Sequence, residues 1–128
     1  MTTPLPRTPG VLCLFGATRP MQGLLDRLHQ EGIAVDVATD LAEARRLFFG
    51  AGGHDCMVLG PDVRPGLARD VVEALLALDP DLALASFGPR LDAMDRPARR
   101  AVLASLHPSS RAGAGALLRF LRQLRLRC

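Results

Sequence analysis

Residues 54–66 read HDCMVLGPDVRPG, and this stretch decides the fold. Its centre, Cys56 to Leu59, is a short apolar run with polar residues before it and Gly and Pro after it. Such a run predicts a buried strand that ends in a tight loop. A strand that is apolar on both faces is typical of the middle of a parallel sheet, where helices cover each side. We therefore expect the rest of the chain to alternate strands and helices around this one.

Four more apolar runs predict the remaining strands. They are Val11 to Phe15, Val35 to Val37, Leu82 to Phe87 and Ala101 to Leu106, the last closed by His107-Pro108. Between them, apolar residues recur at helical spacing, and each helix has a start or stop signal. Those signals are Arg19-Pro20 and Gly32 for the first helix, Thr39 or Asp40 for the second, Pro65-Gly66 and Asp79-Pro80 for the third, and Ser109 or Ser110 for the last.

The segment 90–100 is weakly patterned and contains Pro97, so we expect its helix to be short or irregular. Five strands alternating with five helices predict a doubly wound parallel sheet with right-handed crossovers, in three α/β/α layers. At this length the best fit is the flavodoxin-like strand order 2-1-3-4-5.

The composition limits the protein class. The 128 residues suit one domain, which we place at 10–128, with Met1 to Pro9 as a disordered lead. That lead has no apolar core of a secretory signal, and no apolar run reaches the ~20 residues of a membrane span. Three widely spaced cysteines argue against a disulfide framework or a zinc site, so the cytoplasm is the expected compartment.

Charge is divided unevenly along the chain. All sixteen basic residues are arginine. Residues 1–89 carry seven of them against eleven acids, a net of −4, whereas residues 90–128 carry nine against Asp92 and Asp95, a net of +7. The basic part is a candidate surface for an acidic partner. Aromatic residues are only 4%, with no Tyr or Trp to stack on bases, which favours a protein partner over nucleic acid.

Three motifs give the chain a family resemblance. They are VDVATDLAEA at residues 35–44, HDCMVL at 54–59 ahead of Pro65-Gly66, and His107-Pro108 before the last helix. From about Val11 to Leu124 the sequence resembles a bacterial response-regulator receiver domain of the CheY-like type. The resemblance implies the 2-1-3-4-5 sheet and a role in two-component signal transduction.

Active receivers carry a phosphoryl group on an aspartate at the end of the third strand. They also use two acids after the first strand to hold Mg²⁺, with a lysine and a hydroxyl to bind the phosphoryl oxygens. Where the resemblance places the paired acids, this chain has Phe15 followed by Gly16, Ala17, Thr18 and Arg19. None of these residues offers a carboxylate.

The other pocket positions are also altered. The phosphoacceptor falls on Gly60 when aligned from His54-Asp55, and on Pro61 when aligned back from Pro65. The lysine becomes His107, and only the hydroxyl is kept, as Ser86. Asp62 lies one or two residues beyond the acceptor position.

Our first hypothesis is therefore a degenerate, non-enzymatic receiver that needs no cofactor or metal. It would act in bacterial signalling or transcription regulation through phosphorylation-independent contact, by residues 90–128, with a protein partner, an output domain or a second copy. One alternative is a sensor that binds a small anionic ligand through Arg19, Arg64 and Arg90, with His107. Another is an active receiver that uses Asp62. A dinucleotide enzyme is disfavoured, because the loop that begins at Gly16 does not match G-x-G-x-x-G.

Overall fold

The structure is a computed structural model that describes residues 10–95 and 99–126, with side chains as far as residue 124. Its strands are β1 (Gly10–Leu14), β2 (Ala34–Ala38), β3 (Cys56–Leu59), β4 (Ala83–Ser86) and β5 (Arg100–Val102). Its α-helices are α1 (Gln22–Gln30), α2 (Leu41–Gly50), α3 (Pro65–Leu78) and α4 (Arg111–Leu126). Short 3-10 helices cover Arg19–Met21 and Asp92–Asp95.

The five strands form one parallel sheet in the order β2-β1-β3-β4-β5, which confirms the predicted order. β3 lies at the centre, with Leu59 paired to Leu14 of β1 and to Ser86 of β4. Its side chains alternate between two cores. Cys56 and Val58 pack with α1 and α4 on one side, and Met57 and Leu59 pack with α2 and α3 on the other. This alternation makes the three layers.

Two of the predicted helix caps are present. The Asp40 carboxylate accepts a hydrogen bond from the Glu43 backbone N–H at 2.7 Å, so Asp40 rather than Thr39 caps α2. The Ser110 hydroxyl accepts one from the Gly113 N–H at 3.0 Å, so Ser110 rather than Ser109 caps α4. These caps fix where both helices begin.

The predicted fifth strand is too long. β5 ends at Val102, because the chain turns at once: the Leu106 N–H donates to the Leu103 carbonyl at 3.0 Å. The apolar run continued to Leu106, and periodicity alone does not show where an edge strand leaves the sheet. His107-Pro108 therefore does not close the strand.

The fourth of the five expected helices, in the segment 90–100, is not an α-helix in the described residues, where the segment after β4 forms only the 3-10 helix Asp92–Asp95. A side chain of β5 holds this segment in place. The Arg100 guanidinium donates to the carbonyls of Ala93 at 3.1 Å and Leu82 at 3.0 Å. The expectation of a short or irregular element here is confirmed, although Pro97 and the predicted lead Met1 to Pro9 lie outside the described residues.

The remaining bounds differ by one or a few residues. β1 ends one residue before the predicted Phe15, β4 is shorter than Leu82 to Phe87, and the first helix begins as a 3-10 turn before it becomes α1. In the described parts of the chain, no helix combines the length and the apolar character needed to cross a membrane.

Candidate functional site

The candidate site is the carboxyl edge of the sheet, where the loops after β1, β3 and β4 meet. Open α/β folds bind their ligands at this edge. The Gly60 N–H donates to the Leu14 carbonyl at 2.9 Å, and the Phe87 N–H donates to the Leu59 carbonyl at 2.9 Å. The first residue after β3 is therefore bonded to the end of β1, and the last residue of β3 is bonded to the residue that follows β4.

Asp62 joins two of these loops. Its carboxylate accepts hydrogen bonds from the backbone N–H of Gly16 at 3.0 Å and of Ala17 at 2.7 Å, one to each oxygen. Both bonds are assisted by the charge on the carboxylate, and they connect residues 45 and 46 positions apart. The site is exposed. Asp62 thus reaches the loop after β1, where active receivers have their metal-binding acids, but its partners here are amide groups.

Three glycines allow the loops to approach each other this closely. A Cβ added at Gly16 would lie 2.8 Å from Asp62 Oδ2, and one at Gly60 would lie 2.7 Å from Phe15 Cδ1. A Cβ at Gly88 would lie 2.6 Å from the Cα of Pro61. The acceptor position is therefore closely packed, and a side chain at residue 60 requires its neighbours to move.

Ser86, the one retained pocket residue, already has two hydrogen-bond partners. Its side chain is buried, with 1% of the residue exposed. The hydroxyl donates to the Pro89 carbonyl at 2.6 Å and accepts from the Gly88 N–H at 3.3 Å. These bonds close the turn after β4, so the hydroxyl serves the turn and does not face the solvent.

His107 does not directly follow the fifth strand, which corrects the predicted placement. It lies on the loop between β5 and α4, where its Nδ1 accepts from the Ser109 N–H at 3.1 Å. The residue that follows β5 is Leu103, whose N–H donates to the Ser86 carbonyl at 2.7 Å. The expected lysine position at the end of β5 is therefore apolar.

Thr18 and two of the candidate arginines, Arg19 and Arg64, are exposed at this edge. Thr18 precedes the 3-10 helix Arg19–Met21, and its side chain makes no cap hydrogen bond. Arg64 caps α3 through its backbone, since its carbonyl accepts from the Ala68 N–H at 3.0 Å. Arg19 and Arg64 lie two residues beyond Ala17 and Asp62, respectively.

Arg90 is paired with an acid of its own segment. Its guanidinium forms an ion pair with Asp95 at 2.6 Å, and it lines a cleft of about 260 Å³ between α3 and the 3-10 helix Asp92–Asp95. Arg69 and Glu73 line the same cleft, and Asp62 does not. Pro65 and Gly66, which directly follow Arg64, line this cleft as well, whereas Arg19 and Arg64 themselves do not. The anion-site hypothesis stays a prediction.

The residues at this edge do not fit Mg²⁺. This cation needs several oxygen ligands, usually including more than one carboxylate. Within residues 10–95 and 99–126, no group of three or more His, Cys, Asp or Glu side chains is placed to hold a metal ion. Both oxygens of Asp62 accept from backbone N–H groups instead.

The interpretation of the sequence missed the amides of Gly16 and Ala17, whose only local signal is a glycine directly after the predicted first strand. It also missed the partner of His54. That side chain is buried, with its ring centre 5.7 Å from that of Phe48, and its Nε2 lies 2.8 Å from Asp36 Oδ2. Its buried Nδ1 has no hydrogen-bond partner among the described residues.

The structure resembles solved receiver domains along most of its length. A response regulator receiver domain protein from Clostridium thermocellum matches with a TM-score of 0.68 and 15% identity, over 94% of this chain and 99% of that chain. The signal receiver domain of a putative Luxo repressor protein from Vibrio parahaemolyticus matches with a TM-score of 0.66 and 13% identity, over 94% and 95%. A chemotaxis response regulator of Vibrio cholerae matches with a TM-score of 0.61 and 14% identity, over 92% and 99%.

These identities establish the fold alone: the chain has the receiver fold. No protein-family model matches the sequence, and no curated protein matches it.

Proposed function

We propose that this chain is a degenerate receiver that acts in bacterial signal transduction by protein–protein contact, without phosphorylation and without catalysis of its own. The observation that carries the proposal is the pair of hydrogen bonds from Gly16 and Ala17 to Asp62. They give the one acid near the acceptor position a structural task. The setting we propose is the cytoplasm.

The chemistry of phosphoryl transfer supports this proposal. A carboxylate nucleophile needs an oxygen that is oriented towards the phosphoryl donor, a divalent cation to neutralise the incoming phosphoryl group, and fixed donors for the phosphoryl oxygens. Each Asp62 oxygen accepts an amide N–H, and the described acids form no metal cluster. The Ser86 hydroxyl is held by Pro89, and the chain contains no lysine. Asp62 is exposed, so phosphorylation of its carboxylate is the opposing outcome to test.

That outcome is tested with beryllofluoride and Mg²⁺, which together mimic a phosphorylated aspartate. We expect no saturable change in the amide spectrum of residues 60–64 of the wild-type chain. A saturable change that disappears in Asp62→Asn would refute the proposal and identify an active receiver. Asp70→Asn is the matched control, because Asp70 is an exposed acid on α3, away from the loop.

The basic carboxyl-terminal part is the proposed contact surface. On α4, Leu117 and Leu121 are buried while Arg119 and Arg122 are exposed. Glu31, which directly follows α1, lies 3.6 Å from Arg27 and 3.8 Å from Arg122. Exposed pairs of this kind contribute little stability, so these guanidinium groups can exchange Glu31 for a carboxylate of a partner. An excess of arginine here also raises the association rate with an acidic surface.

This surface is tested with poly-glutamate as the probe and duplex DNA as the alternative. We expect poly-glutamate at low salt to shift the amides of α4, and Arg119→Glu with Arg122→Glu to abolish the shift. Arg45→Glu with Arg46→Glu, on the exposed side of α2, is the control and should leave the shift intact. If poly-glutamate does not bind, or only DNA does, the proposal of an acidic protein partner is wrong.

A further inference from the structure

We infer that the backbone N–H groups of Gly16 and Ala17 form a carboxylate-binding site whose built-in ligand is Asp62, so that free acetate binds there once the Asp62 side chain is removed. This inference does not depend on the proposed function. It concerns what the loop after β1 binds, whereas the proposed function concerns what Asp62 does chemically.

The geometry selects a carboxylate. Two adjacent amides point at one group, with Gly16 N 3.0 Å from Oδ1 and Ala17 N 2.7 Å from Oδ2. Each donor thus takes its own oxygen, and this arrangement suits a planar group with two equivalent oxygens. Consecutive backbone N–H groups that point the same way form an anion-binding concavity, and a charged acceptor strengthens both bonds.

The surroundings let a free anion enter. Gly16, Ala17 and Asp62 are all exposed, so the site opens to solvent. The missing Cβ of Gly16 leaves the room that the carboxylate fills. Arg19 and Arg64 are exposed two residues away along the two loops, and they add positive charge to this part of the surface.

Asp62→Gly is the matching test variant, because it removes a CH₂–COO⁻ group and acetate returns the same group with one more hydrogen. We expect acetate to shift the Gly16 and Ala17 amides of Asp62→Gly saturably and to raise its midpoint of thermal unfolding. Acetamide has the same shape without the charge, and it should do neither, nor should chloride at equal ionic strength. The wild-type chain should not respond to acetate, because Asp62 already occupies the amides.

Either a folded Asp62→Gly protein without an acetate shift, or an equal shift in the wild-type chain, would overturn the inference. If Asp62→Gly does not fold in chloride, refolding in acetate decides the matter: recovery of a dispersed amide spectrum supports the site, and failure to recover refutes it. A larger response to inorganic phosphate than to acetate would also refute the assignment to carboxylates. The beryllofluoride experiment on the wild-type chain can fail or succeed independently of each of these results.

Discussion

Gly16 and Asp62 are matched to each other, because a side chain on Gly16 would occupy the space that the Asp62 carboxylate fills. A Cβ built on Gly16 lies 2.8 Å from Asp62 Oδ2 and 2.9 Å from the Asp62 backbone oxygen. The second contact is with backbone, so rotation of the Asp62 side chain does not relieve it. A glycine after β1 and an acid after β3 therefore depend on each other, although they lie 46 positions apart.

We predict that Gly16→Ala destabilises the protein by about 1–3 kcal/mol, the usual cost of forcing extra atoms into a packed site. The measurement is the free energy of unfolding in urea. Gly66→Ala is the matched control at the same edge of the sheet, because a Cβ there meets no atom within 4 Å. Equal stabilities for the two variants would contradict the close approach of the loops after β1 and β3.

Ser86→Ala should also destabilise the protein, because the turn after β4 depends on the Ser86 hydroxyl. Its loss leaves the Pro89 carbonyl without its 2.6 Å partner and the Gly88 N–H without its acceptor. An unsatisfied buried polar group costs about 1–3 kcal/mol. Equilibrium unfolding measures the effect, and Ser105→Ala, at an exposed position, is the control. An unchanged midpoint in Ser86→Ala would show that the hydroxyl is free, as in a receiver that binds a phosphoryl group.

The sequence predicted the centre of the fold well because its signals are local. Cys56 to Leu59 is bounded by Asp55 and Gly60, and β3 has these same limits. The cap at Asp40 depends on a residue only three positions away. The strand order followed from the number of strands and helices and from their alternation, because few topologies fit that pattern in a chain of this length.

The site was harder to predict, since its contacts link distant loops. No periodicity connects Asp62 with Gly16 and Ala17, and the glycines at 16, 60 and 88 have no positive φ to mark them. Their role is close packing against another loop, which only the folded chain reveals. His107 was misplaced for a similar reason, because the turn at Leu103 lies inside the run Ala101 to Leu106, which contains no Gly or Pro to mark it.

The two buried thiols predict a specific loss of stability in alkali. Burial raises the pKa of Cys13, with the neighbouring Cys56 as a second cause, and burial raises the pKa of Cys56, with Asp55 as a second cause. Above the ordinary thiol value of 9.0, the unfolded chain releases these protons and the folded chain keeps them. The stabilisation is complete below about pH 9. Above it, the free energy of unfolding should fall by about 1.4 kcal/mol per pH unit for each thiol.

This loss can be measured cleanly because the chain has no lysine and no tyrosine to titrate in the same range. Urea unfolding between about pH 8 and about pH 11 gives the slope of the free energy of unfolding against pH. Thiols are the side chains of this chain that ionise in that range. Cys13→Ala and Cys56→Ala should each remove one thiol's share of the slope, whatever they do to stability at neutral pH. A slope unchanged by both substitutions would mean that the folded thiols ionise like exposed ones.

Two glycines of α4, two positions apart, should respond in opposite ways to the same substitution. A Cβ on Gly113 would lie on top of the His107 carbonyl oxygen, which also accepts from the Ser110 hydroxyl and the Ser110 N–H. Gly113→Ala must therefore push the loop before α4 away from the helix, and we expect a loss of about 1–3 kcal/mol. A Cβ on Gly115 meets nothing within 4 Å, so Gly115→Ala should gain about 0.5–1 kcal/mol from better helix propensity. Thermal unfolding of the two variants checks both signs, and a gain in each would show that the loop carrying His107 does not pack against α4.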